Sequence, residues 1–135
     1  MLIAFRTTSF ESTPNGNAAW LTFTRDDGLL RDHAITRGRN ATERINRVAT
    51  YAGNSLEGPS RSTSFLSLSP TAIDLFQHGK KVSAAGRAQG VATVFGKGRV
   101  VVLGEMGMLM VLNRLGYDNR QLALNIMHWL SGSLN

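Results

Sequence analysis

The sequence predicts a small α/β domain whose sheet ends in a C-terminal β-hairpin beneath a terminal α-helix. Three stretches carry that prediction. Residues 91–95 and 99–103 are apolar and β-branched on either side of Gly96-Lys97-Gly98, which is the pattern of a hairpin. Residues 100–103, Val-Val-Val-Leu, form the unbroken apolar run expected of an interior strand covered on both faces. Asp118 as N-cap with Gln121 three residues on predicts a capping box, and Leu122, Ile126, Trp129 and Leu130 then repeat as one buried helical face that Gly132 terminates.

The remaining elements follow along the chain. Residues 2–5 and 19–24 read as strands, with the turn chemistry of Thr13-Pro14-Asn15-Gly16-Asn17 between them. Residues 25–40 are polar and glycine-punctuated, which predicts an extended surface loop. Residues 48–52 and 64–68 read as strands separated by the breaker-rich run 53–62. Residues 69–76 fit either a short helix, capped by Ser69 with Pro70 at its first position, or an extended continuation of the preceding strand. After Gly104, Met106, Leu109, Met110 and Leu112 fall at helical spacing, the methionines serving as pliable core filler.

A chain of 135 residues with 42% hydrophobic content sustains one core, so residues 1–135 are expected to form a single domain. No run approaches the roughly 20 apolar residues of a membrane span. Residues 1–5 are too short for a signal-peptide apolar region, and a cytoplasmic location is expected. The absence of cysteine excludes disulfides, thiolate nucleophiles and cysteine metal sites. Asn40-Ala41-Thr42 matches a glycosylation sequon, which without a secretory signal reads as chance.

The net charge of +6 is unevenly placed. Lys80, Lys81, Arg87, Lys97 and Arg99 have no acidic residue among them, whereas the seven arginines between Arg25 and Arg61 are largely offset by Asp26, Asp27, Asp32, Glu43 and Glu57. The first group reads as a solvated basic surface, with an anion or acidic partner as the functional counterpart. Nucleic-acid binding is not expected, since Phe76 and Phe95 are too few to interleave with the cations. Gly96-Lys97 is no phosphate loop, because a strand follows the lysine instead of Ser or Thr opening a helix.

Candidate chemistry rests on few residues. Asp32 and His33 are adjacent in the arginine-rich segment, as metal ligands, as an acid-base pair, or as surface residues with a structural role. His78 reads as a solvated loop residue and His128 as a packed or partly exposed helix residue. Glu105 follows the strand at 100–103, where ligands sit in open α/β sheets, or it bonds loop amides or Arg120. Arg37 and Arg39 are suited to clamp an anion through forked guanidinium donors, or to pair with nearby acids. No Gly-x-Ser-x-Gly supports a serine hydrolase.

Residues 96–105, the loop after them and residues 118–130, with Asp32-His33-Ala34-Ile35-Thr36-Arg37-Gly38-Arg39 upstream, resemble the C-terminal portion of the class I glutamine-amidotransferase-like superfamily, in particular uncharacterised bacterial members. The similarity spans residues 28–135. It implies a truncated flavodoxin-like three-layer sandwich with a mixed, mostly parallel sheet, lacking the first strand-helix units of the full fold. Glutaminase activity is excluded, because that chemistry needs a cysteine. A truncated sheet leaves an edge and an apolar face, so a twofold homodimer is expected.

Two functions follow from these residues. One is a noncatalytic, self-associating module that binds a ligand or partner, with Arg37, Arg39 and Arg120 facing an anionic small molecule and no cofactor. The other is a small hydrolase of ester or phosphoester bonds with a metal or acid-base site from Asp32, His33 and Glu105, where a divalent metal would enter.

Overall fold

The computed structural model describes residues 3–4, 8–11, 21–51, 53–76, 79–110 and 116–135. Every strand pair among them is antiparallel, and the strands form three sheets. The predicted flavodoxin-like sandwich with a mostly parallel sheet is therefore incorrect. Parallel neighbours need long crossover helices between them, and α3 at Asn119–Leu130, the one helix of that length here, follows the last strand.

The largest sheet is built on β9, Ala88–Phe95, whose first five residues are all buried. The hairpin partner β10, Gly98–Leu103, runs alongside from Gly98 opposite Phe95 to Leu103 opposite Gly90. β6, Thr63–Ser67, pairs with β9 through two shifts of register. β5, Leu56–Glu57, meets β9 at Ala88 and carries β1, Ile3–Ala4, on its far side. Gly90 is dictated by space, because a Cβ there would come within 2.8 Å of the Phe65 ring. A second sheet joins β2, Thr8–Glu11, to β7, Ala72–Leu75, and β7 to β8, Lys81–Ser83. The third pairs β3, Leu21–Thr24, with β4, Arg47–Thr50.

Several expectations fail for identifiable reasons. β10 is an edge strand, not an interior one: it pairs with β9 alone, and Val100 is 40% exposed. Its apolar run is explained by cover on each face, with Val101 and Leu103 against the main core and Val102 against Leu56, Ala88 and Val91. Residues 25–40 are no surface loop. Leu30 is buried and bridges Leu66, and α1, Ala34–Arg37, buries Ala34, Ile35 and Thr36. Residues 72–75 are extended, but they belong to a different sheet from β6. The turn predicted at 13–17, Leu112 and His78 lie outside the described residues.

The terminal helix has the predicted span and a different anchorage. Asp118 occupies the N-cap without a side-chain cap bond. Its carboxylate accepts the N–H groups of Asn46 at 2.7 Å and Arg47 at 3.0 Å, pinning the start of β4. Gln121 donates to Asn125 instead of closing a capping box. Leu122, Ile126 and Trp129 are buried, but Leu130 is exposed, and the polar Asn119 and Asn125 complete the inner face. Asn119 donates to the carbonyls of Ala49 and Met108 and accepts from Ala49 N–H. α2, Gly107–Met110, thereby docks on β4 through Met108, which is buried where Met106 and Leu109 are exposed.

Asn125 donates to the carbonyls of Ile35 and Glu43, both at 2.8 Å. Removing a side chain that satisfies buried carbonyls costs about 2–3 kcal/mol. Asn125→Ala is expected to lower the urea midpoint accordingly with an unchanged slope, whereas Leu124→Ala, on the exposed face, changes stability by about 0.5 kcal/mol or less.

Candidate functional site

The β3–β4 excursion, residues 25–46, gathers the arginines singled out in the sequence. Arg25 reaches back across it, donating to the carbonyl of Ile45 at 2.7 Å and to that of Thr36. Asn125 holds the same excursion from the helix side. Between them the chain turns at Gly38, whose φ of +67° suits glycine and where a Cβ would fall 2.6 Å from that of Glu43. Asn40 then caps a 3-10 turn at Ala41–Glu43, accepting from Thr42 N–H.

This pinned loop shapes an open cleft of about 360 Å³ lined by Asp32, Arg37, Gly38, Arg39, Asn40, Ala41 and Arg44. Arg37 pairs with Asp32 at 2.5 Å, both side chains largely exposed. Arg39 forks onto Glu43, which also accepts the Arg39 N–H at 3.0 Å. These donors hold the Glu43 carboxyl down at about 2, and Glu43 in turn raises the Arg39 pKa. The Arg44 guanidinium has no hydrogen-bond partner among the described residues. Burial, followed by the nearby charge of Arg44, lowers the Arg25 pKa. Arg44 was not singled out in the sequence, where only its place in an arginine-rich segment pointed to it.

His33 has a structural position. Its Nδ1 accepts from Ile35 N–H at 3.2 Å while its own N–H donates to Thr36 Oγ1 at 3.1 Å, a reciprocal cap on α1. The ring lies edge-on to Trp129 at 5.2 Å and stacks on Phe65 at 6.1 Å. Burial, reinforced by Arg37, lowers its pKa from the ordinary 6.5. Glu105 bonds loop amides, those of Gly107 and, at 3.3 Å, Tyr51. Arg120 is exposed on the first turn of α3 and forms no hydrogen bond with Glu105.

Asp32, His33 and Glu105 thus have separate partners. No three His, Cys, Asp or Glu side chains among the described residues gather as metal ligands. His128 is half-buried on α3, with Nδ1 shielded and without a hydrogen bond.

A second cleft, about 420 Å³, lies beside Arg87 and is lined by Glu57, Gly58, Pro59, Ser62 and Gly86 among others. Arg87 reaches inward to the fully buried Asp74 at 2.5 Å, and Ser55 donates to the same carboxylate at 2.7 Å. Among the described residues no histidine joins this group to act as a base for Ser55. Arg87 is therefore withdrawn from the basic surface expected at residues 80–99. So is Arg99, which donates to the carbonyls of Trp129 and Leu134.

No family model, curated protein or solved structure matches the chain. No helix among the described residues is long and apolar enough to cross a membrane.

The His33 cap has a definite pH signature. A folded pKa below the unfolded 6.5 means that the unfolded state binds the proton more readily. The contribution is fully present above pH 6.5 and diminishes as pH falls from there through the lowered folded pKa. Chemical unfolding between pH 8 and 5 is expected to show this decline. His33→Asn, which keeps an N-cap acceptor without titrating, is expected to flatten it.

Proposed function

We propose that the chain is a noncatalytic binding module that holds a small anion in the arginine cleft and associates with a second copy of itself. The observation that carries this reading is the convergence of Arg37, Arg39 and Arg44 on one open cleft of a loop pinned from both sides. Arg39 is held by Glu43, and Arg44 is left to an incoming ligand. Arg37 can exchange Asp32 for an anion at little cost, because exposed ion pairs contribute only about 0–1 kcal/mol. Forked guanidinium donors match phosphate and carboxylate oxygens.

The amidotransferase-like resemblance lends no support, because every strand pair among the described residues is antiparallel. The binding reading is preferred to the hydrolase because His33 Nδ1 caps α1, Glu105 bonds loop amides and Asp32 pairs with Arg37, so the three side chains have separate partners. A cytoplasmic location and independence from nucleic acid, membrane and cofactor belong to the same reading.

Calorimetric titration with pyrophosphate tests it. One anion per chain is expected, with affinity about tenfold weaker in Arg44→Ser, a loss of about 1.4 kcal/mol, and unchanged in Lys80→Ser/Lys81→Ser. Absence of heat at millimolar anion, or equal loss in the lysine variant, would refute the site.

A further inference from the structure

Among the described residues, the outer border of β10 is an open strand edge. The turn Gly96-Lys97 closes the hairpin on the pair Phe95 and Gly98, so Gly98, Val100 and Val102 direct their backbone groups to β9. The bond from Gly104 N–H to Gln89 O, 2.8 Å, continues that alternation. Arg99, Val101 and Leu103 accordingly direct their N–H and C=O groups outward. None of these groups has a hydrogen-bond partner among the described residues. β10 also lacks the devices that blunt an edge: it contains no proline and no bulge, and its single charged side chain, Arg99, is turned onto the end of α3.

Resting on the self-association proposed above, we propose that this edge binds a second copy of the chain, β10 against β10, by twofold antiparallel pairing centred on Val101. The outward groups at Arg99, Val101 and Leu103 are symmetric about Val101. Setting Val101 against Val101 and Arg99 against Leu103 therefore gives every outward donor an acceptor. In that register Gly98 faces Gly104, and the exposed Lys97 comes opposite Glu105 of the second copy at both ends. Opposite charges thus sit where the two strands leave one another. Neighbouring registers lose this. Centring on Arg99 sets Val101 against the Lys97 turn. Centring on Leu103 sets Val101 against Glu105, beyond the end of β10, and Arg99 against Gly107, the first residue of α2. The pairing closes an edge that has no partner among the described residues of one copy.

Sedimentation velocity of the full chain from about 1 to about 200 μM, with amide hydrogen exchange at both ends of that range, tests the pairing. Wild type is expected to dimerise, and exchange at Arg99, Val101 and Leu103 to slow with concentration while Val100 and Val102 stay protected throughout. Val101→Pro removes an outward N–H and no bond to β9, a position where an edge strand tolerates proline, and it is expected to be monomeric. Lys97→Glu sets like charges at both ends and is expected to weaken the dimer about tenfold or more.

A monomer across the range overturns the proposal. So does a dimer indifferent to Lys97→Glu whose outward amides exchange equally at both concentrations. Met127→Arg, on the exposed face of α3, tests the competing surface: loss of the dimer there, with Lys97→Glu unaffected, also overturns it. Should Val101→Pro lose its fold by circular dichroism, Lys97→Glu and the exchange pattern decide.

Discussion

The fold depends on two buried side-chain amides of the terminal helix. Asn119 meets β4 as a strand would, exchanging bonds with the N–H and C=O of Ala49, and reaches Met108 of α2. Asn125 satisfies carbonyls in α1 and in the 3-10 turn. Irregular backbone can be buried only when its polar groups are satisfied. These amides let the β3–β4 excursion and the residues before α2 lie against an apolar core that includes Ile35, Ile45, Met108 and Leu122. The cost is specificity of a demanding kind, because an apolar residue at either position would leave carbonyls stranded. Position and orientation of the arginine cleft are therefore set from the far end of the chain.

Local geometry was legible in the sequence where one residue type admits few conformations. The hairpin at Gly96-Lys97 and the span of α3 follow from turn chemistry and apolar spacing, and both are present. Strand direction was not legible. An apolar run such as Val100 to Leu103 records that both faces of a strand touch something, and it is silent on whether both edges are paired. Here the faces are covered by α3 and by the small cluster around Leu56, while the edge is open. Residues 25–40 misled in the opposite sense. Their arginines and glycines resemble a loop, yet Leu30, Ala34 and Ile35 are core residues separated by too few positions to show a period.

The site was legible in part and for a physical reason. Arg37 and Arg39 were singled out by type and spacing, and both line the cleft. Arg44 joins them because Gly38 and the 3-10 turn fold the chain back, a reversal that depends on contact between Gly38 and Glu43. Glu105 was ambiguous because a carboxylate serves equally as amide acceptor or site residue, and Asp118 because a capping residue also accepts more distant amides. Tertiary contacts chose amide acceptance for both. His33 caps α1 with Nδ1, and its ring lies against Phe65 and Trp129.

The cleft and the open edge are joined by contiguous packing. Arg99 of β10 lies over Trp129, Trp129 meets His33, and His33 caps the helix that ends in Arg37. Contiguity alone does not couple two sites, since coupling requires an element with two arrangements that each site biases differently. Arg99, His33 and α1 are each held by specific bonds: Arg99 by two carbonyls, His33 by a reciprocal cap, and α1 by Asn125. Such over-determination favours a rigid scaffold that presents two independent surfaces. The one weak point is the His33 cap, because protonation of Nδ1 would replace an acceptor with a donor facing the Ile35 amide.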